Sequence, residues 1–185
     1  MVKAAMRQAN IKFTYNDYLQ LPGDKRYELV EGDFRLVPAP CLYHQNILRK
    51  LGAAIATYAE TRRLGLVFFA PCDLVLSEHN VVQPDLLMVP SERINILTDA
   101  NIREVPELVV EILSPATAQR DLGVKRGLYA RYGVREYWIV DPEARTAEVL
   151  AWSEEGYRTR AVILQDGLLN SELFPELNLP LTQIF

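Results

Sequence analysis

The sequence predicts a single domain of the α/β (α+β) class, in which a mixed central β-sheet is flanked by a few helices. Short apolar runs bounded by turn residues are typical of strands, and two longer segments repeat apolar residues at helical spacing. The chain of 185 residues has no internal repeat or linker and is long enough for one sizeable core. We therefore expect one domain over residues 1–185, with its core at about residues 13–165.

The N-terminal part of the sequence predicts a short helix, a hairpin and a long helix. In "FTYNDYLQLP", Thr14 is a suitable N-cap, and Asp17 stands three residues later in an acidic variant of the capping box. Apolar residues on both sides of "EGD" in "RYELVEGDFRLVP" predict a β-hairpin. The long helix is predicted in "YHQNILRKLGAAIATYAETRRLG" by apolar residues at helical spacing, namely Ile47, Leu48, Leu51, Ile55 and Tyr58.

The rest of the chain predicts strands with one further helix. That helix covers "ATAQRDLGVKRGLYARYG" and ends at Gly133, while the polar stretch from Ser91 to Val105 predicts no clear element. The C-terminus is short and irregular. Strands are predicted by five segments: "LVFFAPCDLVLS", "VVQPDLLMVP", "ELVVEILSP", "EYWIVDPEARTAEVLAW" with a turn at "DPEA", and "YRTRAVILQ".

Two of the apolar strands contain a carboxylate. Glu111 lies inside "LVVEIL", and Asp85 follows Pro84 in "VVQPDLLMV". Proline donates no hydrogen bond to a ladder, so Pro84 predicts an edge, a bulge or a strand start that opens the sheet beside Asp85. Each acid alone is compatible with a strand end or with an arginine partner. Together, two converging carboxylates predict a site for a hard divalent cation such as Mg²⁺.

The helix after Glu111 carries a charged pair on its apolar face. At about 100° per residue, one narrow stripe of this helix contains Asp121, Lys125, Leu128 and Tyr132. Val124 and Tyr129 flank the stripe. An i,i+4 pair on a surface contributes a few tenths of a kcal/mol and requires no function. A pair that faces the sheet loses its hydration, which the pair alone does not offset, so its position favours a functional role.

Two further side chains are secondary candidates for the site. His44 begins the apolar stripe of the long helix, where a hydrogen-bonded core histidine and a substrate-positioning histidine are both compatible with the pattern. Glu28 lies in the hairpin strand "RYELV", and Glu31 at the turn is expected to be solvated.

A local excess of positive charge lies on the helix after Glu111. Arginines at Arg120, Arg126 and Arg131, together with Lys125 and Arg135, outnumber the single acid in this stretch. They predict either a patch that faces nucleic-acid phosphates or a solvated basic helix face.

Composition excludes several other classes of protein. The formal net charge of −4 argues against nucleic-acid binding through overall basicity. Cys41 and Cys72 are too few for a disulfide framework and form no zinc-ligand pattern. No apolar stretch approaches the roughly 20 residues that span a bilayer. The N-terminus "MVKAAMRQANIKF" lacks the apolar core of a secretory signal, so we expect a cytoplasmic protein.

Three blocks of the sequence resemble a known family. The blocks are "QPDLLMV", "PELVVEILSPAT" and "DLGVKRGLYARYGVREYWIVDP". In order and spacing they resemble a bacterial branch of the PD-(D/E)XK nuclease superfamily, restriction-endonuclease-like proteins long catalogued as a domain of unknown function. The resemblance implies a mixed central sheet flanked by helices. It also implies a Mg²⁺- or Mn²⁺-dependent endonuclease whose partner is nucleic acid, with DNA as the favoured substrate.

The same resemblance assigns roles to particular residues. It implies that Asp85 and Glu111 hold the metal ion, with the main-chain carbonyl of Ile112 as a third ligand. The superfamily usually has a lysine two residues after the second acid, where this chain has Leu113. Lys125, on the next helix, is similar to the migrated lysine of this branch.

Three other residues complete the implied site. His44 and Glu28 match positions where the family carries such residues, and Asp121 is expected to position the lysine amine. Because nucleases that cut both strands of a duplex often present two sites, a homodimer is also expected.

Two alternative functions are compatible with the same residues. One is a non-catalytic nucleic-acid-binding or interaction module that uses the acidic cluster for stability. The other is a metal-dependent hydrolase of a different phosphate ester.

Overall fold

The computed structural model describes residues 11–185, and residues 1–10, where the predicted domain and its N-terminus begin, lie outside the described residues. The fold is α+β. Its helices are α1 (Tyr15–Tyr18), α2 (Leu42–Thr61), α3 (Ala118–Arg120) and α4 (Arg126–Tyr132). Its strands are β1 (Arg26–Val30), β2 (Asp33–Val37), β3 (Gly65–Phe69), β4 (Leu74–Ser77), β5 (Asn80–Val82), β6 (Leu86–Pro90), β7 (Ile102–Arg103), β8 (Leu108–Ile112), β9 (Glu136–Asp141), β10 (Thr146–Ser153), β11 (Gly156–Ile163), β12 (Leu168–Leu169) and β13 (Leu179–Pro180).

The strands form two main sheets and a small one. Five strands have the order β2-β1-β5-β4-β7, six have the order β11-β10-β9-β8-β6-β3, and β12 pairs with β13. Both main sheets are mixed, because β4 and β7 are parallel in the first and β8 and β9 are parallel in the second. The predicted class of a mixed sheet flanked by helices is therefore confirmed, although the strands are divided between two sheets.

The six-stranded sheet lies between two apolar layers. On one face, Val110 and Trp138 pack against α2 and the C-terminal segment. On the other face, Val109 and Tyr137 pack against α4 and the five-stranded sheet. Successive residues of a strand point to opposite faces, so each central strand contributes to both layers.

The N-terminal elements follow the predicted pattern. Thr14 caps α1, and its hydroxyl and backbone N–H both reach Asp17 as in a capping box. β1 and β2 form the predicted hairpin, with Glu31 and Gly32 both at positive φ, as a two-residue type I′ turn requires. Helix α2 buries one face at four of the predicted apolar positions, namely Ile47, Leu51, Ile55 and Tyr58.

Two predicted strands are each divided into two. The segment "LVFFAPCDLVLS" forms β3 and β4, and "VVQPDLLMVP" forms β5 and β6, with the two halves of each segment in different sheets. The prediction that Asp85 lies inside a strand is therefore wrong: it lies between β5 and β6, directly after Pro84. The β5 ladder ends at Val82, and Pro84, which has no N–H to donate, lies where the chain crosses from the five-stranded to the six-stranded sheet.

The predicted helix after Glu111 contains a π-helical turn. Residues Asp121–Lys125 form this turn between α3 and α4, and Gly133 ends α4 in the left-handed conformation. A π turn is wider than an α turn, so it changes which residues share a face. The prediction that Val124 flanks the buried stripe is wrong, because its side chain is exposed.

The C-terminal segment extends the core beyond the predicted limit at residue 165. Phe174, Leu181 and Ile184 are buried against α2 and the six-stranded sheet. Periodicity did not predict this contribution because the segment has only two-residue strands and a short 3₁₀ turn (Leu181–Gln183). Among the described residues, no helix is long and apolar enough to cross a membrane.

Glu136 at the start of β9 attaches the C-terminal segment to the sheet. Its buried carboxylate accepts hydrogen bonds from the Trp138 indole N–H at 2.7 Å and from the backbone N–H groups of Glu172 and Leu173 at 3.1 and 3.3 Å. The Trp138 side chain is fully buried and its N–H has no other acceptor among residues 11–185, whereas the Leu173 N–H also reaches Ser171 Oγ at 3.0 Å. Loss of the Glu136 carboxylate therefore leaves the buried indole N–H without a partner.

We expect Glu136→Ala to lower the free energy of unfolding by about 2–4 kcal/mol, because three charge-assisted bonds are lost and the Trp138 indole N–H remains buried without an acceptor. Urea denaturation followed by tryptophan fluorescence measures this change. The control is Glu143→Ala at an exposed turn position, with an expected change within about 0.5 kcal/mol. Equal stabilities for the two variants would contradict this role for Glu136.

Candidate active site

Asp85 and Glu111 lie opposite each other at the end of a ladder. β6 and β8 are antiparallel, and the pair Leu86 and Val110 is the last one in the ladder on this side. One further step in the same register places Asp85 opposite Glu111, and the backbone N–H of Ile112 donates to Asp85 Oδ2 at 2.7 Å. Directly opposed residues have Cβ atoms about 4.5–5.5 Å apart, so the two predicted acids are brought together.

The apolar strand β8 places Glu111 under the helical segment. Glu111 shares a strand face with Val109 and Leu113, which pack with Leu128 and Tyr129 of α4. Alternation along the strand therefore directs the carboxylate into the layer that contains the π turn. The packing of Val109 and Leu113 thus fixes the position of Glu111, although neither apolar side chain can bond to its carboxylate.

Lys125 connects three carboxylates. Its Nζ lies 2.7 Å from Glu28 Oε1, 2.8 Å from Glu111 Oε1 and 3.6 Å from Asp121 Oδ1. Relative exposure is 3% for Lys125 and Glu111, 1% for Asp121 and 0% for Glu28, so the cluster is fully inside the protein. The sequence predicted the inward-facing Asp121–Lys125 pair but placed Glu28 second, whereas Glu28 makes the shortest contact with the amine.

Burial and charge act on the cluster together. Burial raises the pKa of Glu111 well above its ordinary value, against the opposing effect of the Lys125 charge. Burial likewise raises the pKa of Asp121, and Lys125 again opposes the shift. Burial alone would lower the pKa of Lys125, but the charges of Glu111, Glu28 and Asp121 outweigh it and raise the pKa of the amine. Lys125 is therefore a fixed cation.

Tyr129 is a site residue that sequence reasoning missed. Its buried hydroxyl donates to Glu111 Oε1 at 2.8 Å, the same oxygen that Lys125 contacts. Burial, followed by the Glu111 charge, raises the pKa of the phenol, which keeps it a donor. Its position beside the charged stripe was the available signal. Two donors on Oε1 leave Oε2 without a hydrogen bond among the described residues.

His44 contacts two of the three predicted metal ligands. Its Nε2 lies 3.2 Å from Asp85 Oδ2 and 3.0 Å from the carbonyl oxygen of Ile112. Burial lowers the pKa of His44, but the bond to Asp85 and its charge outweigh this effect, so the pKa is raised. Both neighbours are acceptors, so Nε2 carries the proton, and the ring fixes Asp85 against β8.

These residues meet at a cavity of about 730 Å³, whose lining includes Asp85, Glu111, Ile112, Asp121 and Lys125. Asp85 Oδ1, like Glu111 Oε2, forms no hydrogen bond to any residue in the described range 11–185. The cavity edge thus presents two carboxylate oxygens that the protein itself leaves unused.

The charge of this cluster is unbalanced. The four carboxylates of Glu28, Asp85, Glu111 and Asp121 are opposed by two permanent cations, Lys125 and Arg120, whose guanidinium lies 3.7 Å from Glu28. When all four carboxylates are ionised, the negative charges exceed these two cations by two. A bound divalent cation would favour that ionised state, against the burial that raises the pKa values of Glu111 and Asp121. Residues 11–185 contain no group of three or more His, Cys, Asp or Glu side chains arranged to bind a metal. Mg²⁺ does not require such a group, since it is usually held by one or two carboxylates together with water and substrate oxygens.

The predicted basic patch is only partly at this cavity. Arg120 lines it, whereas Arg126 and Arg131 are not among the lining residues within the described chain, and Arg131 pairs with Glu31 on the surface. Two arginines that sequence reasoning missed, Arg26 and Arg49, do line the cavity. They come from β1 and α2, so only the tertiary fold brings them to the site.

A solved structure shares this fold, and a family model matches this sequence. The structure is similar to the crystal structure of a protein from Anabaena variabilis ATCC 29413 described as a "putative nuclease belonging to DUF820", with a TM-score of 0.78 and 23% sequence identity over 94% of this chain and 97% of that chain. No curated protein matches the chain. The profile of the Uma2 family matches residues 15–182. This agrees with the resemblance to restriction-endonuclease-like nucleases, and the chain belongs to the Uma2 family, whose description is "Putative restriction endonuclease".

Proposed function

We propose that the protein is a metal-dependent endonuclease that hydrolyses phosphodiester bonds of nucleic acid, with DNA as the favoured substrate. The observation that carries this proposal is the pair of opposed carboxylates at a cavity, each with one unused oxygen, beside a buried lysine. Membership of a family described as "Putative restriction endonuclease" supports the reaction class.

The metal ligands in this proposal are Asp85 Oδ1, Glu111 Oε2 and the carbonyl oxygen of Ile112, with water and a phosphate oxygen completing the shell. When bound, Mg²⁺ or Mn²⁺ supplies polarisation of the phosphate and a lowered pKa of water. The protein's own contribution is to hold the ligands. Tyr129 and Lys125 fix Glu111 through Oε1, and His44 and the Ile112 N–H fix Asp85 through Oδ2.

Lys125 stabilises charge rather than accepting a proton. Its raised pKa keeps the amine protonated at neutral pH, which makes it unsuitable as a general base. A fixed cation beside the scissile phosphate lowers the energy of the negative charge that develops in the transition state. Glu28 and Asp121 hold the amine in position, which compensates for the absence of a lysine at residue 113.

A second candidate function is a nucleic-acid-binding module without catalysis. The observation in its favour is that Lys125 already contacts three carboxylates, as a purely stabilising ion cluster would. The two candidates differ in metal binding, since a stabilising cluster requires no divalent cation. The homodimer is proposed for the nuclease alone, because two copies present a site to each strand of a duplex.

Metal binding is expected to stabilise the wild-type protein. Mg²⁺ or Mn²⁺ at about ten times its Kd should add about 1.4 kcal/mol to the free energy of unfolding, because the ion binds only the folded cluster. Thermal unfolding with increasing metal concentration measures this effect. In Asp85→Asn the stabilisation should be much smaller at the same concentration. Equal stabilisation of both proteins would exclude Asp85 as a ligand, and its complete absence would favour the non-catalytic module.

Asp85→Asn and Glu111→Gln should each reduce DNA cleavage by at least about 100-fold, since each removes a charged ligand while keeping the side-chain shape. The measurement is single-turnover cleavage of a labelled plasmid or oligonucleotide with Mg²⁺ or Mn²⁺. Asp166→Asn, which changes an exposed acid by the same chemistry, is the control and should cleave at the wild-type rate. Wild-type cleavage by Glu111→Gln would contradict the proposed site.

Tyr129→Phe should raise the metal concentration needed for half-maximal activity by roughly tenfold, because a partner that orients a metal ligand typically contributes 10- to 100-fold in affinity. Metal titrations of cleavage and of thermal stability both report this shift. Tyr132→Phe on the same helix removes a hydroxyl that accepts from Asn80 and does not contact the cluster, so its titration should match wild type. Identical titrations for the two variants would show that Tyr129 has no role in positioning Glu111.

A further inference from the structure

The cations that line the cavity differ in what neutralises them. Lys125 contacts three carboxylates, and the Arg120 guanidinium lies 3.7 Å from Glu28. Arg26 and Arg49 also line the cavity, but neither forms a salt bridge with any acid in residues 11–185. Arg26 and Arg49 are therefore the two cavity cations that have no acid partner among residues 11–185.

Arg26 is held in place by a neutral side chain. Its Nε donates to Gln83 Oε1 at 2.9 Å, and Gln83 is itself fixed by donating to Asp73 Oδ1 at 2.7 Å and to Glu28 Oε1, through its backbone N–H, at 2.9 Å. This arrangement leaves the two terminal amino groups of the half-buried guanidinium without a described partner. An immobilised arginine with free amino groups is suited to bidentate contact with a phosphate.

Arg26 lies between two cavities. It lines the main cavity and a second cavity of about 240 Å³, which is bordered by Lys25 and Tyr27 and shares Gln83 with the first. A strand whose scissile phosphate lies at the carboxylates therefore has a continuous path past Arg26 into a recess with a cation and an aromatic ring, features that bind successive nucleotides.

Arg49 lies on a different wall. It comes from α2, is exposed, and donates one side-chain hydrogen bond within residues 11–185, to Asn46 Oδ1 at 3.0 Å. α2 also carries His44, so Arg49 is attached to the same rigid element that positions Asp85. Because the acidic cluster repels a polyanion, cations at the cavity rim are required to offset that repulsion.

We propose that Arg26 and Arg49 bind the phosphates that flank the scissile phosphate, so that the nucleic-acid strand enters over α2 and leaves past β1. The proposal rests on the proposed function, and it assigns the substrate-binding surface to these two arginines rather than to the outer face of α4. The occupant is a nucleic-acid strand recognised by its backbone phosphates.

The test is the salt dependence of binding, measured without cleavage. A fluorescent single-stranded DNA oligonucleotide is titrated with the protein in EDTA at 50–200 mM KCl, and Kd is followed by fluorescence anisotropy. Each lost phosphate contact should lower the slope of log K against log salt by about 0.7. Arg26→Ala and Arg49→Ala should each show this decrease and bind roughly tenfold more weakly, with about twice the decrease in the double variant.

Matched variants separate local from general effects. Arg158→Ala removes the same charge from an exposed arginine on β11 that pairs with Glu155, and this variant should bind as wild type does. Arg26→Lys keeps the charge but loses the bond to Gln83, so it should keep the slope while its affinity falls. Thermal unfolding of each variant controls for folding, and exposed Arg49 supplies a test that does not disturb the Gln83 contacts.

The outcomes distinguish this inference from the nuclease proposal. An unchanged slope in the Arg26→Ala, Arg49→Ala double variant overturns the inference, even where the wild type cleaves DNA with Mg²⁺. The inference is also overturned if the slope of log K against log salt decreases in the Arg126→Ala, Arg131→Ala double variant but not in the variants of the cavity arginines. Arginine-dependent binding by a wild-type protein that never cleaves supports the inference and contradicts the proposed nuclease activity.

Discussion

The buried amine of Lys125 is the interaction on which the site and much of the fold depend. It joins Glu28 of the five-stranded sheet, Glu111 of the six-stranded sheet and Asp121 of the π turn. Removing a charge from water is costly, and a lone buried lysine would lose its proton. Because three carboxylates surround the amine, it stays charged and fixes the distance between the two sheets and the helix above them. The residues of the site therefore also hold the two sheets and the helical segment together.

A second constraint is the crossing of the chain between sheets at Gln83, Pro84 and Asp85. The ladder of β5 ends at Val82, so these three residues lie outside any strand, and Asp85 still faces β8. Gln83 directs its backbone N–H to Glu28 and its amide to Asp73 and Arg26, which fixes the crossing from both sides. Three consecutive residues thus connect a proposed metal ligand, the lysine cluster and a cavity arginine.

Sequence patterns predicted the parts of the site that depend on local periodicity. Alternation marked Glu111 as a carboxylate in a buried strand, and the helical stripe placed Asp121 and Lys125 towards the sheet. Periodicity contains no information on which strands become neighbours, so it placed "VVQPDLLMVP" in one sheet and ranked Glu28 low. Arg26 and Arg49 are far from Glu111 in the chain and show no pattern of their own. Val124 was wrongly placed because the π turn departs from 100° per residue.

The excess negative charge links the stability of the fold to its proposed activity. Three of the four acids, Glu28, Glu111 and Asp121, are buried. When ionised, these carboxylates and the half-buried Asp85 repel one another, and the two permanent cations offset only part of that repulsion. A cluster selected only for stability would balance these charges or replace them with apolar residues, which is often at least as stable. An excess of carboxylates is expected where a divalent cation and a polyanionic strand bind to the site together. The cation then offsets the acids, and the phosphates of the strand are matched by rim arginines that the acids leave free.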